Sequence, residues 1–214
     1  METNNNAINS CLMWAVNFET PVSLGCLFDS DDLKDTGIEV DSHITLLYAQ
    51  GKTISHAGLL DELKEILGAE DYEWILGLVK SDEKFETLDL FELGSFENDS
   101  DYLVLKLKKS NPVFKALSLI NKGLRIRYGV SSDFTDYTPH LTLAELQPGT
   151  VRKYLGSETI KRVLEDSTCE YEDLFISYGT SNEPEDRKQR YLTSEKCIER
   201  YFRLERLRKE LVEL

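Results

Sequence analysis

Histidine is scarce in this chain: there are three in 214 residues. Positive charge is short as well, 25 Lys and Arg against 39 Asp and Glu, for a formal net charge of −14. A surface so acidic lacks the broad basic footprint that holds long RNA or DNA through many phosphates, so no long nucleic acid is expected as a partner. A small nucleotide needs only a local positive pocket and stays open. The four cysteines, Cys11, Cys26, Cys169 and Cys197, are scattered with no CxxC pair. That pattern fits free thiols in a reducing compartment better than a zinc site. No apolar run approaches the roughly eighteen residues of a spanning helix, and the Asn-rich start has no basic segment before an apolar stretch. A cytoplasmic protein without a membrane partner is expected. Hydrophobic residues at 41% and charged residues at 30% describe an ordinary globular chain, able to bury the core of one large or two small domains.

Two of the three histidines stand in the same phrase, His43-Ile44-Thr45-Leu46 and His140-Leu141-Thr142-Leu143. At ordinary residue usage, Thr two places on and Leu three places on follow a given His in roughly 0.5% of cases, so two of three by accident is on the order of one in ten thousand. Each phrase lies in a short apolar run of strand length. Alternate side chains of a strand share a face, about 6.6 Å apart along it. His43 therefore points with Thr45, and His140 with Thr142. The third histidine, His56, follows Ser55 at a helix start without a Thr partner and reads as a surface residue.

Around the phrases, Leu12 to Phe18 and Val22 to Phe28 are candidate strands, and Asp29 to Asp32 opens a turn or short helix. Val40 to Ala49 is the first motif strand. Ser55 to Leu67 carries leucines at helical spacing and closes at Gly68. Glu73 to Val79, Glu86 to Leu93 and Tyr102 to Leu107 read as strands, with Gly94 to Ser100 a polar connection. Pro112 starts a helix expected to stop at Gly123. Pro139 opens the second motif strand, where its missing amide does little harm. Thr150 to Leu164 is expected as a helix and Glu172 to Tyr178 as a strand. The order gives an α+β fold of two pseudo-symmetric lobes, each carrying one His-Thr strand. Residues 1–180 form this bilobal domain, 181–194 a linker or loop, and 195–214 a C-terminal amphipathic helix. The stripe Ile198, Tyr201, Phe202, Leu204, Leu207, Leu211 and Leu214 leaves two readings, packing back on the domain or joining a homodimer.

Cleaving a ribose phosphodiester without a metal needs a base for the attacking hydroxyl, an acid for the leaving oxygen and donors for the charge on phosphorus oxygens. Histidine, with an ordinary pKa near 6.5, serves either proton-transfer role. His43 and His140 supply one of each, and Thr45 and Thr142 supply hydroxyl donors. The sequence does not say which histidine is base and which acid. No carboxylate or thiolate stands at matching spacing to complete a metal set, so no metal and no cofactor is expected. Tyr48, Phe134 and Tyr137 lie near the motif strands and can stack bases; core packing is the plain alternative for each. Lys52 follows the first motif and can neutralise phosphate. Arg152 and Lys153 follow the second, and Lys122, Arg125 and Arg127 form a basic run; a solvated face is the plain alternative for all of them.

The paired strands resemble the two-histidine (2H) phosphoesterase superfamily, over approximately Val22 to Tyr178. The flanks Phe96-Glu97-Asn98-Asp99, Tyr102-Leu103-Val104-Leu105 and Asp136-Tyr137-Thr138-Pro139, with Gln147-Pro148-Gly149-Thr150, look most like the phage anti-CBASS nucleases. That resemblance implies a bilobal fold with two antiparallel sheets around a central cleft, each lobe presenting one motif to it. It also implies metal-independent cleavage of 3′–5′ linkages in cyclic di- or trinucleotides, in the host cytoplasm if the chain is phage-encoded. The neighbouring 2′-hydroxyl would attack and leave a 2′,3′-cyclic phosphate. Glu145, where such strands often carry Tyr, and the segment Glu195 to Leu214 depart from the pattern. The competing readings are a nucleotide-binding sponge without turnover and an esterase acting on RNA ends.

Overall fold

The computed structural model describes residues 9–131, 136–179, 188–192, 200, 203–204 and 206–207. Nine strands and six helices are found among them, in an α+β arrangement of two antiparallel sheets. In the first sheet, β1 (Asn9–Glu19) lies between β3 (His43–Ala49) and β8 (Thr168–Gly179), with β4 (Phe85–Glu86) and β9 (Lys188–Tyr191) also paired to β8. In the second, β7 (His140–Leu146) lies between β2 (Leu33–Ile38) and β6 (Asp101–Leu107), and β5 (Phe91–Glu97) closes the far edge. The first sheet therefore carries one motif strand and the second the other. β3 and β7 come into contact, which joins the two sheets along the motif.

Period-two burial makes the motif strands what they are. Ile44, Leu46, Leu141 and Leu143 are buried, while His43, Thr45, His140 and Thr142 are half-buried on the opposite face. Removing each such side chain from water contributes about 1.5–3 kcal/mol, which pins the register and with it the His-Thr face. In the ladders His43 stands opposite Ala15 and Thr45 opposite Met13, while His140 stands opposite Lys106 and Thr142 opposite Val104. Trp14 anchors the centre of the first sheet: its ring is fully buried, stacks on Tyr171 at 4.5 Å and donates its Nε1–H to the Glu172 carbonyl at 2.8 Å.

Helices α1 (Leu59–Leu67), α2 (Ala69–Lys80) and α4 (Pro112–Tyr128) pack together, with α4 against β3 and α2 against β8. The short α3 (Thr87–Leu90) touches β5, and α5 (Val151–Leu155) packs on β5 and β6. α6 (Glu158–Glu165) begins with Ser157 accepting the Ile160 amide through its side chain.

Several elements differ from the sequence expectation. Glu73 to Val79 lies in helix α2 rather than a strand; Tyr72, Ile75 and Val79 are its buried residues, a three-and-four spacing that the dense apolar run had masked. Val22 to Phe28 holds a 3₁₀ turn at Leu24–Leu27 with no buried residue. Glu86 to Leu93 splits into α3 and the start of β5, and Gly94 to Glu97 belongs to β5 rather than to a connection. Thr150 to Leu164 is broken between α5 and α6, and β2 was not foreseen. Helix α4 runs past Gly123 and ends at Gly129. Gly123 serves a close approach instead, since a β-carbon there would stand 2.7 Å from Ile66 of α1. Within the expected linker, Lys188–Tyr191 pairs with β8 as a strand; residues 181–187 and 193–194 lie outside the described residues. Of the expected C-terminal helix, residues 200, 203, 204, 206 and 207 are described and helical, and Leu204 is buried against this same chain.

Candidate active site

The two histidines are held in the same way from opposite sheets. His43 Nδ1 lies 2.5 Å from the backbone carbonyl of Asp41, and His140 Nδ1 lies 2.8 Å from that of Thr138. In both cases the acceptor is the residue two positions before the histidine. A carbonyl only accepts, so Nδ1 carries the proton and donates it, leaving Nε2 of the neutral ring with its lone pair available. Repeating this contact in both sheets gives the pseudo-symmetry a chemical content: each strand carries a histidine anchored through Nδ1, with a threonine two positions on along the same face.

Thr45, His140 and Thr142 line one cavity of about 760 Å³, in the upper part of the range for small-molecule sites. His43 precedes Thr45 on the same face of β3 and is near enough to His140 for their charges to interact. Burial is the main cause that holds the His140 pKa below the ordinary histidine value, and the positive charges of His43 and Lys106 add to it, while the bond to Thr138 opposes. His43 has an acidic neighbour, Glu39, which follows β2 and donates its amide to the Leu143 carbonyl of β7 at 3.1 Å. Burial raises the Glu39 carboxyl above its ordinary range, partly offset by attraction to His43, and its Oε1 accepts the Asp41 amide at 2.9 Å.

Lys106 and Phe96 were not foreseen. Lys106 Nζ stands 4.6 Å from the centroid of the Phe96 ring, which meets His140 edge-on at 4.8 Å. Gly94 makes the room: a β-carbon there would come within 2.9 Å of the Lys106 side chain. Pairing of Lys106 with His140 depends on strand register, which the sequence did not settle. Asn121 and Arg125 of α4 also line the cavity, and Asn121 donates to the Leu46 carbonyl at 2.7 Å, tying the helix to the first motif strand.

No family model matches this chain, and no curated protein sequence matches it. Among solved structures, Escherichia coli LigT in its apo form is similar at 14% identity and a TM-score of 0.41, over 86% of this chain and 95% of that one. The same protein complexed with 3′-AMP gives 15% identity and 0.40, over 86% and 96%. Kluyveromyces marxianus Usb1 with uridine monophosphate gives 10% and 0.39, over 86% and 98%.

The remaining expected site residues have definite places. Tyr48, Lys52 and Tyr137 line the cavity. Tyr48 is 40% exposed. Tyr137 donates its hydroxyl to the Thr45 carbonyl at 2.8 Å and thereby ties the approach to β7 to β3; burial pushes its phenol well above the usual range. Lys52 Nζ donates to the carbonyls of Tyr128 and Gly129 at 2.6 and 2.5 Å, binding the C-terminal end of α4, where the helix dipole favours a cation. Phe134 lies outside the described residues. Of the other basic candidates, Arg127 pairs with Glu65, Arg152 with Glu97, and Lys153 with Asp29 and Asp32, all at exposed positions. His56 is half-buried rather than solvated, its Nε2 3.1 Å from the Tyr191 carbonyl. Glu145 faces Tyr102, whose hydroxyl donates to Oε1 at 3.1 Å. Among the described residues no three His, Cys, Asp or Glu side chains converge as a metal-ligand set, and no helix is long and apolar enough to cross a membrane.

Proposed function

We propose that this chain is a metal-independent two-histidine phosphodiesterase that cleaves the 3′–5′ linkages of cyclic di- or trinucleotides, in the manner of the phage anti-CBASS nucleases its motif flanks resemble. One observation carries the reading: from different sheets, Thr45, His140 and Thr142 line one cavity, His43 stands within electrostatic reach of His140, and both histidines have Nδ1 tied to a carbonyl two positions back.

The surroundings divide the labour. His140, kept neutral by burial and by Lys106, is the base: its Nε2 takes the proton of the ribose 2′-hydroxyl. The 2′-oxygen attacks phosphorus and the bond to the 5′-oxygen breaks. His43, with the Glu39 carboxyl near it, enters the step as the imidazolium and is the acid: its Nε2–H protonates that leaving oxygen, while Nδ1–H stays on the Asp41 carbonyl. Thr45 and Thr142 donate hydroxyl hydrogen bonds to the non-bridging oxygens as charge gathers there. The products are a 2′,3′-cyclic phosphate and a free 5′-hydroxyl, and every proton is accounted for. Tyr48 offers a stacking face, and Arg125 a charge for the second phosphate of a cyclic dinucleotide.

Incubation in EDTA with 3′–5′ and 2′–5′ cyclic di- and trinucleotides, 2′,3′-cyclic mononucleotides and RNA, followed by mass spectrometry, tests the proposal. Linear products ending in a 2′,3′-cyclic phosphate support it. Stoichiometric binding with intact ligand recovered would make the protein a sponge, and cleavage confined to RNA ends would move it to the esterase reading.

A further inference from the structure

The two histidine acceptors are secured by different parts of the chain. On the His140 side the domain does it: the Leu107 amide donates to the Pro139 carbonyl at 2.9 Å, and the Tyr137 hydroxyl ties the same segment to Thr45. On the His43 side the Asp41 carboxylate is held from beyond β8. Gln189 of β9 donates to Asp41 Oδ2 at 2.9 Å, and Arg200, 1% exposed, forms an ion pair with Oδ1. The Arg200 guanidinium also pairs with Glu172 at 2.7 Å, reaches the Ser42 carbonyl at 3.5 Å and lies 5.4 Å from the Phe175 ring. Phe175 in turn meets His43 edge-on at 6.3 Å. A cation so deeply buried is a costly element unless its partners are fixed, and here they are one carboxylate on the motif loop and one on β8.

We propose that Arg200 is a positioning residue for His43, resting on the two-histidine reading above. By clamping Asp41 and the Ser42 peptide it fixes the carbonyl that receives the His43 Nδ1–H, and so holds the orientation of the ring and leaves Nε2 for proton transfer. The segment carrying Gln189 and Arg200 thereby completes one half of the site in cis. Lysine cannot replace the planar fork that reaches Asp41, Glu172 and the Ser42 carbonyl together.

The test is Arg200→Met and Arg200→Lys in the full chain, read by steady-state kinetics and by ¹⁵N spectra of histidine-labelled protein. Expected for Arg200→Met is a kcat lower by at least about 10-fold with KM changed less than about 3-fold, as for a displaced catalytic group. The His43 ring nitrogens should move toward tautomer-averaged shifts while those of His140 stay in place, and Arg200→Lys should recover only part of kcat. An unchanged kcat, or equal disturbance of both histidines, would overturn the inference. Should Arg200→Met not fold, Asp41→Asn removes the clamped charge at constant size and carries the same readouts. A wild type without turnover would overturn the enzyme reading alone, because the tautomer of His43 still reports on Arg200.

Discussion

Lys106 stands directly across the β6–β7 ladder from His140, and the Phe96 ring lies against both. The pairing places a cation beside one histidine while a half-buried carboxyl, Glu39, accompanies the other. Two strands that look alike in sequence are thus made chemically unlike by their neighbours, which is what a base and an acid working together require.

The acid limb of the rate profile follows from that asymmetry. The base must be neutral, so activity falls as pH drops through the His140 pKa, which burial and Lys106 hold below the ordinary histidine value. Lys106→Gln removes a positive charge and lets His140 keep its proton to higher pH. The acid limb should therefore move up in kcat/KM measured against pH, with the alkaline limb little changed. A limb that stays in place or moves down would remove Lys106 from this role.

Thr45→Val and Thr142→Val each keep the strand and remove one hydroxyl donor. Each should lower kcat by about 10- to 100-fold, short of the loss of a full oxyanion donor set. Single-turnover rates in both variants check this; near wild-type rates would mean that the hydroxyls do not contact the phosphoryl oxygens.

Tyr137→Phe cuts the tie between Tyr137 and the Thr45 carbonyl. A hydrogen bond of this kind contributes about 0.5–1.5 kcal/mol, so urea denaturation should show a loss of that size. Because the bond joins the approach to β7 to β3, kcat should fall more than KM rises.

Gly123→Ala places a methyl 2.7 Å from Ile66 where α4 crosses α1. Overpacking of this kind costs about 1–3 kcal/mol, and thermal unfolding should show it. A neutral result would mean that α1 and α4 separate freely.

How much of this was legible beforehand depends on the range of the interaction involved. The four motif residues could be read because each His-Thr pair lies within three positions of one strand, and the period-two burial of Ile44, Leu46, Leu141 and Leu143 fixes the face. The two-lobed α+β arrangement followed from the repeat and the order of elements, and the two antiparallel sheets from the resemblance carried by the motif strands. Helix α2 was missed because Trp74, Ile75, Leu76, Leu78 and Val79 crowd into an apolar run that a strand also explains. Lys106, Asn121 and Arg200 were missed for another reason. Each reaches the site through register or packing across 34 residues or more, as Lys106 to His140 and Asn121 to Leu46 show, and a single sequence carries no mark of such pairs.

The most direct test of the central claim is single-turnover cleavage of cyclic di- and trinucleotides in EDTA by wild type, His43→Ala and His140→Ala. Wild type should yield linear product ending in a 2′,3′-cyclic phosphate, and each variant should be slower by at least about 100-fold while still binding substrate. Undiminished cleavage by either variant would contradict a mechanism that needs both histidines.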